Sequence, residues 1–97
     1  MNETTPSSAK FSILVPAYNA EHILGRTLAS LVTQELPEWE ACVVDDGSTD
    51  ATFEVALEWA EQDRRIKSAR KDNGGTSSAR NAAAKMASGT WLCLLDA

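Results

Sequence analysis

The sequence predicts a single α/β domain, and three observations support this prediction. Short apolar segments alternate with segments whose apolar residues recur at helical spacing, and no hairpin-type turn joins two apolar segments. Of the 97 residues, 43% are hydrophobic and 24% are charged, which is typical of a globular domain. A chain of this size buries roughly two-thirds of its unfolded surface, which is enough for one modest core.

The first predicted unit is a strand followed by a helix. Residues 1–10 are polar and offer nothing to pack, so we interpret them as a disordered leader. The segment FSILV (11–15) is rich in β-branched residues and ends at Pro16, which predicts a buried strand. We expect Asn19 to cap a helix that ends before Pro37. Its apolar stripe consists of Ile23, Leu24, Leu28, Leu31 and Val32.

A second strand and helix follow, and then a weaker strand. EACVV (40–44) predicts the strand, and residues 45–50 provide turn and helix-capping side chains. The apolar stripe of the helix consists of Phe53, Ala56, Leu57 and Ala60. IKSAR (66–70) predicts a short strand whose polarity suits the edge of a sheet.

The last predicted unit is a helix of small residues followed by a fourth strand. Gly74 and Gly75 interrupt the chain, and Thr76 or Ser77 is expected to cap the helix, which ends at Gly89. Its stripe consists of Ala79, Ala82, Ala83, Met86 and Ala87. TWLCLL (90–95) is apolar throughout, as is typical of a parallel strand covered on both faces. Cys42 and Cys93 lie inside apolar strands, which favours two buried thiols over a disulfide or a metal site.

This order of elements predicts a Rossmann-like parallel sheet of about four strands. Right-handed crossovers give the strand order 3-2-1-4, with helices on both faces. Loops that follow the strands then share one edge of the sheet, where ligands bind in such folds. The polar residues that follow strands are therefore candidate site residues: Pro16 to Asn19, Asp45 to Asp50, Asn73 to Thr76, and Asp96.

The adjacent carboxylates of Asp45 and Asp46 repel each other unless a ligand or hydrogen bonds compensate. Either could accept a hydrogen bond from a nucleobase N–H or a ribose hydroxyl, or join a metal site. The alternative is ordinary turn chemistry, for which Asp, Gly, Ser and Thr are all common. Asp96 ends a strand at the same edge, so it is either a further ligand or a strand terminator.

Four other polar or aromatic features allow two interpretations each. The backbone N–H groups of residues 73–76 could bind a diphosphate, or this segment is a flexible connector. Arg80 could reach a phosphate or pair with a surface carboxylate. Tyr18 could stack on a base or pack against the protein. His22, the only histidine, is more consistent with a surface residue than with a catalytic base.

The net charge of −5 disfavours binding to nucleic acid or to anionic membranes. No apolar run approaches the ~20 residues of a membrane-spanning helix. Residues 1–10 lack the basic start and apolar core of a signal peptide. We therefore expect a cytoplasmic protein.

Four segments together resemble the family-2 glycosyltransferases of GT-A fold. They are FSILVPAYNAE (11–21), VVDDGSTD (43–50), NGGTSSARN (73–81) and GTWLCLLDA (89–97). The resemblance implies transfer of a sugar, usually with inversion, from a nucleotide-diphosphate donor to an acceptor hydroxyl of a saccharide or lipid carrier. It also implies a Mn²⁺ or Mg²⁺ cofactor and allows a full-length enzyme that is peripheral to the membrane. Uracil is the expected base of the donor.

The resemblance also implies roles for individual residues. Pro16, Ala17 and Tyr18 would contact the nucleoside, and Asp46 would accept the base N–H. Glu21 and Asp45 would lie nearby, and Gly74 and Arg80 would lie near the donor. Asp96 matches the first carboxylate of the Asp-x-Asp motif, close to the ribose and the metal, with Ala97 as its middle residue.

The second aspartate of that motif would follow residue 97, and no residue is assigned as the catalytic base. We therefore expect residues 11–97 to be the donor-binding part of the enzyme domain, inactive by itself. The alternative is a non-catalytic nucleotide-binding or assembly module. A phosphoacceptor regulatory domain also carries paired acids, but usually after its first strand, whereas here they follow the second. If strand 91–95 is an exposed edge, it also predicts homo-oligomers.

Overall fold

Four parallel strands form one sheet in the computed structural model, which describes residues 10–35 and 38–96. The strands are β1 (Phe11–Ala17), β2 (Trp39–Asp45), β3 (Ile66–Arg70) and β4 (Trp91–Leu94). The helices are α1 (Leu24–Val32), α2 (Thr52–Gln62) and α3 (Thr76–Met86). Nearly all of the predicted leader, Pro37 and Ala97 lie outside the described residues.

The strand order is β3-β2-β1-β4, which confirms the predicted topology. β1 and β2 pair from Phe11 opposite Trp39 to Ala17 opposite Asp45, and Asp45 in turn lies opposite Arg70 of β3. The carboxyl ends of these three strands are therefore level, and the loops that follow them begin side by side. β3 lies at an edge of the sheet, as its polarity predicted.

Helices cover both faces of the sheet, and each face has its own apolar core. Alternate residues of a strand point to opposite faces, so Val15 and Leu14 of β1 enter different cores. The larger core packs α1 and α2 against β1 and β2 around Val15, Leu24 and Leu28. The smaller core packs Ala79 and Ala83 of α3 against Leu14 and its neighbours. Alanine at both helical positions allows α3 to lie close to the sheet.

Neither predicted helix cap on the β1 and β3 loops is present. α1 begins only at Leu24, and its capping position is Ile23 rather than Asn19. Asn19 instead has a left-handed backbone (φ 47°) and bonds to a neighbouring loop. α3 is preceded by Gly75 without a side-chain cap, so Thr76 is the first residue of the helix rather than its cap. Tertiary contacts prevail over local capping at both positions.

The pattern of burial also corrects three predictions. Leu57 is 41% exposed, because the core-facing side of α2 is formed by Val55, Ala56 and Trp59. β4 is exposed along its length, with Trp91 at 61%, which contradicts the predicted cover on both faces and agrees with the alternative of an exposed edge. Cys93 is consequently exposed, whereas Cys42 is buried as predicted. None of the helices in the described part of the chain is long and apolar enough to span a bilayer.

Candidate functional site

A cleft of about 270 Å³ opens at the carboxyl ends of the strands, where the sequence predicted a site. It is lined by Pro16, Ala17, Tyr18, Asp46, Thr76, Ala79 and Asp96. All of these except Ala79 lie in the segments that the sequence named as candidate site residues. Tyr18 is 49% exposed, so its ring is open to a ligand rather than packed in the core. The structure therefore brings an aromatic ring and two carboxylates to one cleft.

Sequence reasoning did not assign Ala79 to the site, and it named Thr76 only as part of the loop that follows β3. They lie three residues apart on the first turn of α3, so both face the sheet edge that carries Pro16 and Asp46. The available signal was their position directly after the glycine pair. A helix that starts there must direct its first turn towards the carboxyl ends of the strands.

Four predicted site residues do not line the cleft. Asp45 is fully buried at the end of β2, and Glu21 lies in the loop before α1. Gly74 lies in the loop before α3, and Arg80 is half-buried within α3. The Arg80 guanidinium donates to Ser77 Oγ of the same helix (3.3 Å). Their contact with a substrate stays a prediction.

The Asp46 carboxylate is enclosed by the loop that follows β3. Oδ1 accepts from the Gly74 N–H (3.0 Å) and Lys71 Nζ (3.2 Å), and Oδ2 accepts from the Gly75 N–H (2.9 Å) and Asn73 Nδ2 (3.3 Å). Burial alone would raise the pKa of Asp46, but these hydrogen bonds and the Lys71 cation outweigh it and lower the pKa below its ordinary value. The carboxylate is therefore stabilised in its ionised form.

This arrangement corrects the predicted anion site in residues 73–76. The N–H groups of Gly74 and Gly75 are directed at Asp46, so the loop holds a carboxylate of the protein itself. A nest of successive N–H groups favours any anion, and the protein's own carboxylate is the nearest one. These hydrogen bonds join the loop to Asp46.

Asp45 has a different environment from its neighbour, which explains how two adjacent carboxylates coexist. Its Oδ2 lies 3.2 Å from Arg70 Nε, and its Oδ1 accepts from the Ser48 hydroxyl. The Ser48 N–H also points at this carboxylate, 3.3 Å from each oxygen. Separate cations, Arg70 for Asp45 and Lys71 for Asp46, therefore compensate the repulsion that the sequence implied.

The loops that follow β1 and β2 bind to each other through side chains. Asn19 Oδ1 accepts from the Thr49 N–H (2.9 Å), and the Ala20 N–H donates to Thr52 Oγ1 (2.7 Å). Glu21 Oε1 accepts from the Ala51 N–H at the start of α2 (2.7 Å). Glu21 thus holds the loops together, and its other carboxylate oxygen lies 3.1 Å from Nε2 of the exposed His22.

Of the two carboxylates that line the cleft, that of Asp96 is exposed and accessible to a metal ion. Within residues 10–35 and 38–96 no three acidic, histidine or cysteine side chains are grouped to hold a metal. Asp46 is already surrounded by donors. The described residues therefore fit a divalent ion only as one ligand among others, the remainder coming from a bound molecule such as a diphosphate.

In sequence and in fold, this chain is similar to glycosyltransferases. The family model for glycosyl transferase family 2 matches residues 12–97. The chain is 40% identical over 87 residues to glycosyltransferase GlyA of Streptococcus pneumoniae, an alignment covering 90% of this chain and 12% of GlyA.

Two solved structures superpose closely, each over 90% of this chain and 27% of the other chain. One is TarS (residues 1–349) of S. aureus in complex with UDP, with a TM-score of 0.81 and 36% identity. The other is the mannosyltransferase PcManGT from Pyrobaculum calidifontis in complex with GDP-Man and Mn²⁺, with a TM-score of 0.82 and 27% identity. The chain spans far less than half the length of each of the three proteins.

Proposed function

This chain belongs to glycosyltransferase family 2, and from that premise we propose that it binds the nucleotide-diphosphate sugar, a UDP-sugar, for transfer of a hexose. The observation that carries the proposal is the cleft in which Tyr18, Asp46 and Asp96 meet. UDP is favoured over GDP because identity is higher to TarS, whose structure contains UDP, than to PcManGT, whose structure contains GDP-Man.

The nucleoside would lie on Tyr18, with its base directed at Asp46. An exposed aromatic ring offers a flat surface on which a base can stack. Uracil presents an N–H donor, for which a carboxylate is a strong acceptor. Because the loop donors already occupy Asp46, the base N–H would replace one of the two longest contacts, from Lys71 (3.2 Å) or Asn73 (3.3 Å).

The diphosphate would lie beside Asp96. We propose that this carboxylate provides one ligand to Mn²⁺ or Mg²⁺ and that diphosphate oxygens provide others, which is the usual way these ions are held in nucleotide sites. When bound, the ion stabilises the negative charge of the departing diphosphate. The Mn²⁺ in the PcManGT structure with GDP-Man supports this cofactor.

In the proposed transfer, an acceptor hydroxyl attacks the anomeric carbon from the side opposite the diphosphate. A new bond forms between that oxygen and the carbon while the carbon–oxygen bond to the diphosphate breaks. The nucleotide leaves with the electron pair, the hydroxyl proton passes to a general base, and the configuration inverts. The described residues act on the donor side of this reaction, and we assign none of them as the base.

The test is calorimetric titration of the chain with UDP, GDP and CDP, each with and without Mn²⁺. We expect preferential binding of UDP and at least a tenfold loss in Asp46→Ala, about the effect of losing one hydrogen bond to a charged group. Asp72→Ala is the matched control, because Asp72 is an exposed aspartate of the loop that encloses Asp46. Equal affinity of Asp46→Ala and the unsubstituted chain would contradict the proposed base site.

A further inference from the structure

The backbone of Tyr18 is fixed on both sides by the loop that follows β2. The carbonyl of Ala17, which precedes the Tyr18 Cα, accepts from the Asp46 N–H (2.8 Å). The N–H of Asn19, which follows that Cα, donates to Ser48 Oγ (2.8 Å). Both peptide groups that flank Tyr18 are therefore bound to one neighbouring loop.

Ser48 is itself oriented by buried groups. Its hydroxyl donates its only proton to Asp45 Oδ1, which leaves an oxygen lone pair for the Asn19 N–H. The Arg70 guanidinium binds this pair from the other side, with Nε 3.2 Å from Asp45 Oδ2 and Nη2 donating to the Ser48 carbonyl (2.9 Å). A continuous series of polar contacts thus leads from β3 through β2 to the residue after Tyr18.

Tyr18 needs this support because its ring is not held by the core. Tyr18 is 49% exposed, whereas the residue before it, Ala17, is buried at 2% exposure. Asn19 turns sharply after it with φ of 47°, a conformation that Asn tolerates better than most residues. The two flanking peptide groups therefore determine the direction of the Tyr18 Cα–Cβ bond, from which the ring extends.

We infer that Asp45 and Ser48 are positioning residues that fix the backbone of Tyr18, and so the direction in which its side chain leaves the chain at the cleft, before the nucleotide binds. The inference rests on the proposed function, because it assigns Tyr18 to the nucleoside. In this inference Asp45 does not contact the substrate but acts through Ser48 on the backbone of Tyr18, which is consistent with its complete burial. A loop fixed in advance loses less conformational entropy on binding, so the effect falls on donor affinity.

The first experiment compares the UDP dissociation constants of Ser48 variants by titration calorimetry. We expect Ser48→Ala to weaken binding about threefold to tenfold, the usual effect of one hydrogen bond. Ser48→Thr keeps the hydroxyl and should restore most of the affinity. Ser30→Ala is the matched control, since its hydroxyl bonds only within α1, to the Thr27 carbonyl (2.7 Å).

A second variant weakens the loop contact without disturbing the buried Asp45. Asn19→Gly keeps the left-handed backbone, which glycine adopts freely, and removes the Oδ1 acceptor of the Thr49 N–H. Because Asn19 is exposed, this chain should fold normally, which far-ultraviolet circular dichroism checks. We expect several-fold weaker UDP binding by this variant as well.

A double-mutant cycle with Tyr18→Ala separates positioning of the ring from general loosening of the site. Where the ring is absent, Ser48→Ala and Asn19→Gly should have little further effect on UDP affinity. Equal losses with and without the ring would overturn the inference, as would unchanged affinity of both single variants. Failure of the unsubstituted chain to bind UDP would instead overturn the proposed function, and the inference with it.

Discussion

Glu40 and Lys67 form an ion pair, Oε1 to Nζ 3.0 Å, at the end of the sheet opposite the cleft. The other oxygen of Glu40 accepts from Ser12 Oγ (2.6 Å) and the Ser88 N–H (2.7 Å), and Lys67 Nζ donates to the Met86 carbonyl (2.9 Å). This cluster joins β1, β2 and β3 to the connection between α3 and β4. It thereby fixes where β4 starts along the sheet and hence where Asp96 emerges at the other end.

Glu40→Gln should destabilise the fold by about 1–3 kcal/mol. Removing one partner of a buried ion pair costs about 3–5 kcal/mol, and the lower figure applies because the Lys67 side chain is 28% exposed and stays hydrated. Urea unfolding measures the change. Glu58→Gln on the exposed side of α2 is the control and should leave stability within about 0.5 kcal/mol. Equal midpoints for both variants would contradict the prediction.

Stability should fall as the pH is lowered through the acid range. Burial acts to raise the pKa of Glu40, but hydrogen bonds from Ser12 and Ser88 and the Lys67 cation outweigh it, so its pKa lies below the ordinary 4.5. The pKa of Asp46 is lowered below 3.8 in the same sense. A lowered folded-state pKa gives stability that is present above the unfolded value and lost as pH falls through the folded one.

Urea midpoints measured from about pH 6 down to about pH 3 test this prediction. The unsubstituted chain should lose stability below about pH 4.5, and Glu40→Gln should lose less over the same range because it lacks one of the titrating groups. Parallel curves for the two proteins would show that Glu40 does not contribute.

Two glycine substitutions should have opposite effects on stability. A Cβ at Gly89 would lie 2.6 Å from Ser12 Oγ and 3.0 Å from Ser12 N, so Gly89→Ala should cost about 1–3 kcal/mol. A Cβ at Gly25 in α1 would lie 3.6 Å from the nearest atom, an ordinary contact. Gly25→Ala should therefore stabilise by up to about 1 kcal/mol through helix propensity. Thermal unfolding of both variants provides the comparison, and a loss in Gly25→Ala would refute it.

The two cysteines should react with thiol reagents at very different rates. Cys42 is buried, and burial together with the nearby Glu40 charge raises the pKa of its thiol to about 11. Cys93 is exposed on β4. Since the thiolate is the reactive species, a disulfide reagent near pH 8 should label Cys93 quickly and Cys42 only in urea. Rapid labelling of folded Cys93→Ser would contradict the described burial.

The strand order and the edge at which the site lies could be predicted from the sequence, because both follow from general rules. Alternating β and α segments determine a parallel sheet, and parallel strands bring Pro16, Asp46 and Asp96 to one edge. The same predicted order places β4 at an edge, where it is exposed. Its apolar composition, which resembles that of β2, gave the opposite and wrong prediction of cover on both faces.

Side-chain roles within the loops were also beyond sequence reasoning. Asn19 has the chemistry of a helix cap, but its amide oxygen accepts from Thr49, thirty residues away. The N–H groups of Gly74 and Gly75 suit an anion, but the anion they contact is Asp46. In each case a group in one loop binds a residue of another loop that is distant in sequence. Which loops meet depends on the register of β1, β2 and β3, whose carboxyl ends lie side by side.

Asp45 and Asp46 show how one residue type can conceal two unrelated roles. Successive residues of an extended strand face opposite sides, so the first carboxylate is enclosed with Arg70 while the second lines the cleft. Because the two positions are adjacent and carry the same residue type, a shift of one residue at the end of β2 would exchange the ion-paired aspartate for the one that lines the cleft. The contacts with Arg70 and Lys71, rather than the residue type, therefore distinguish the two aspartates.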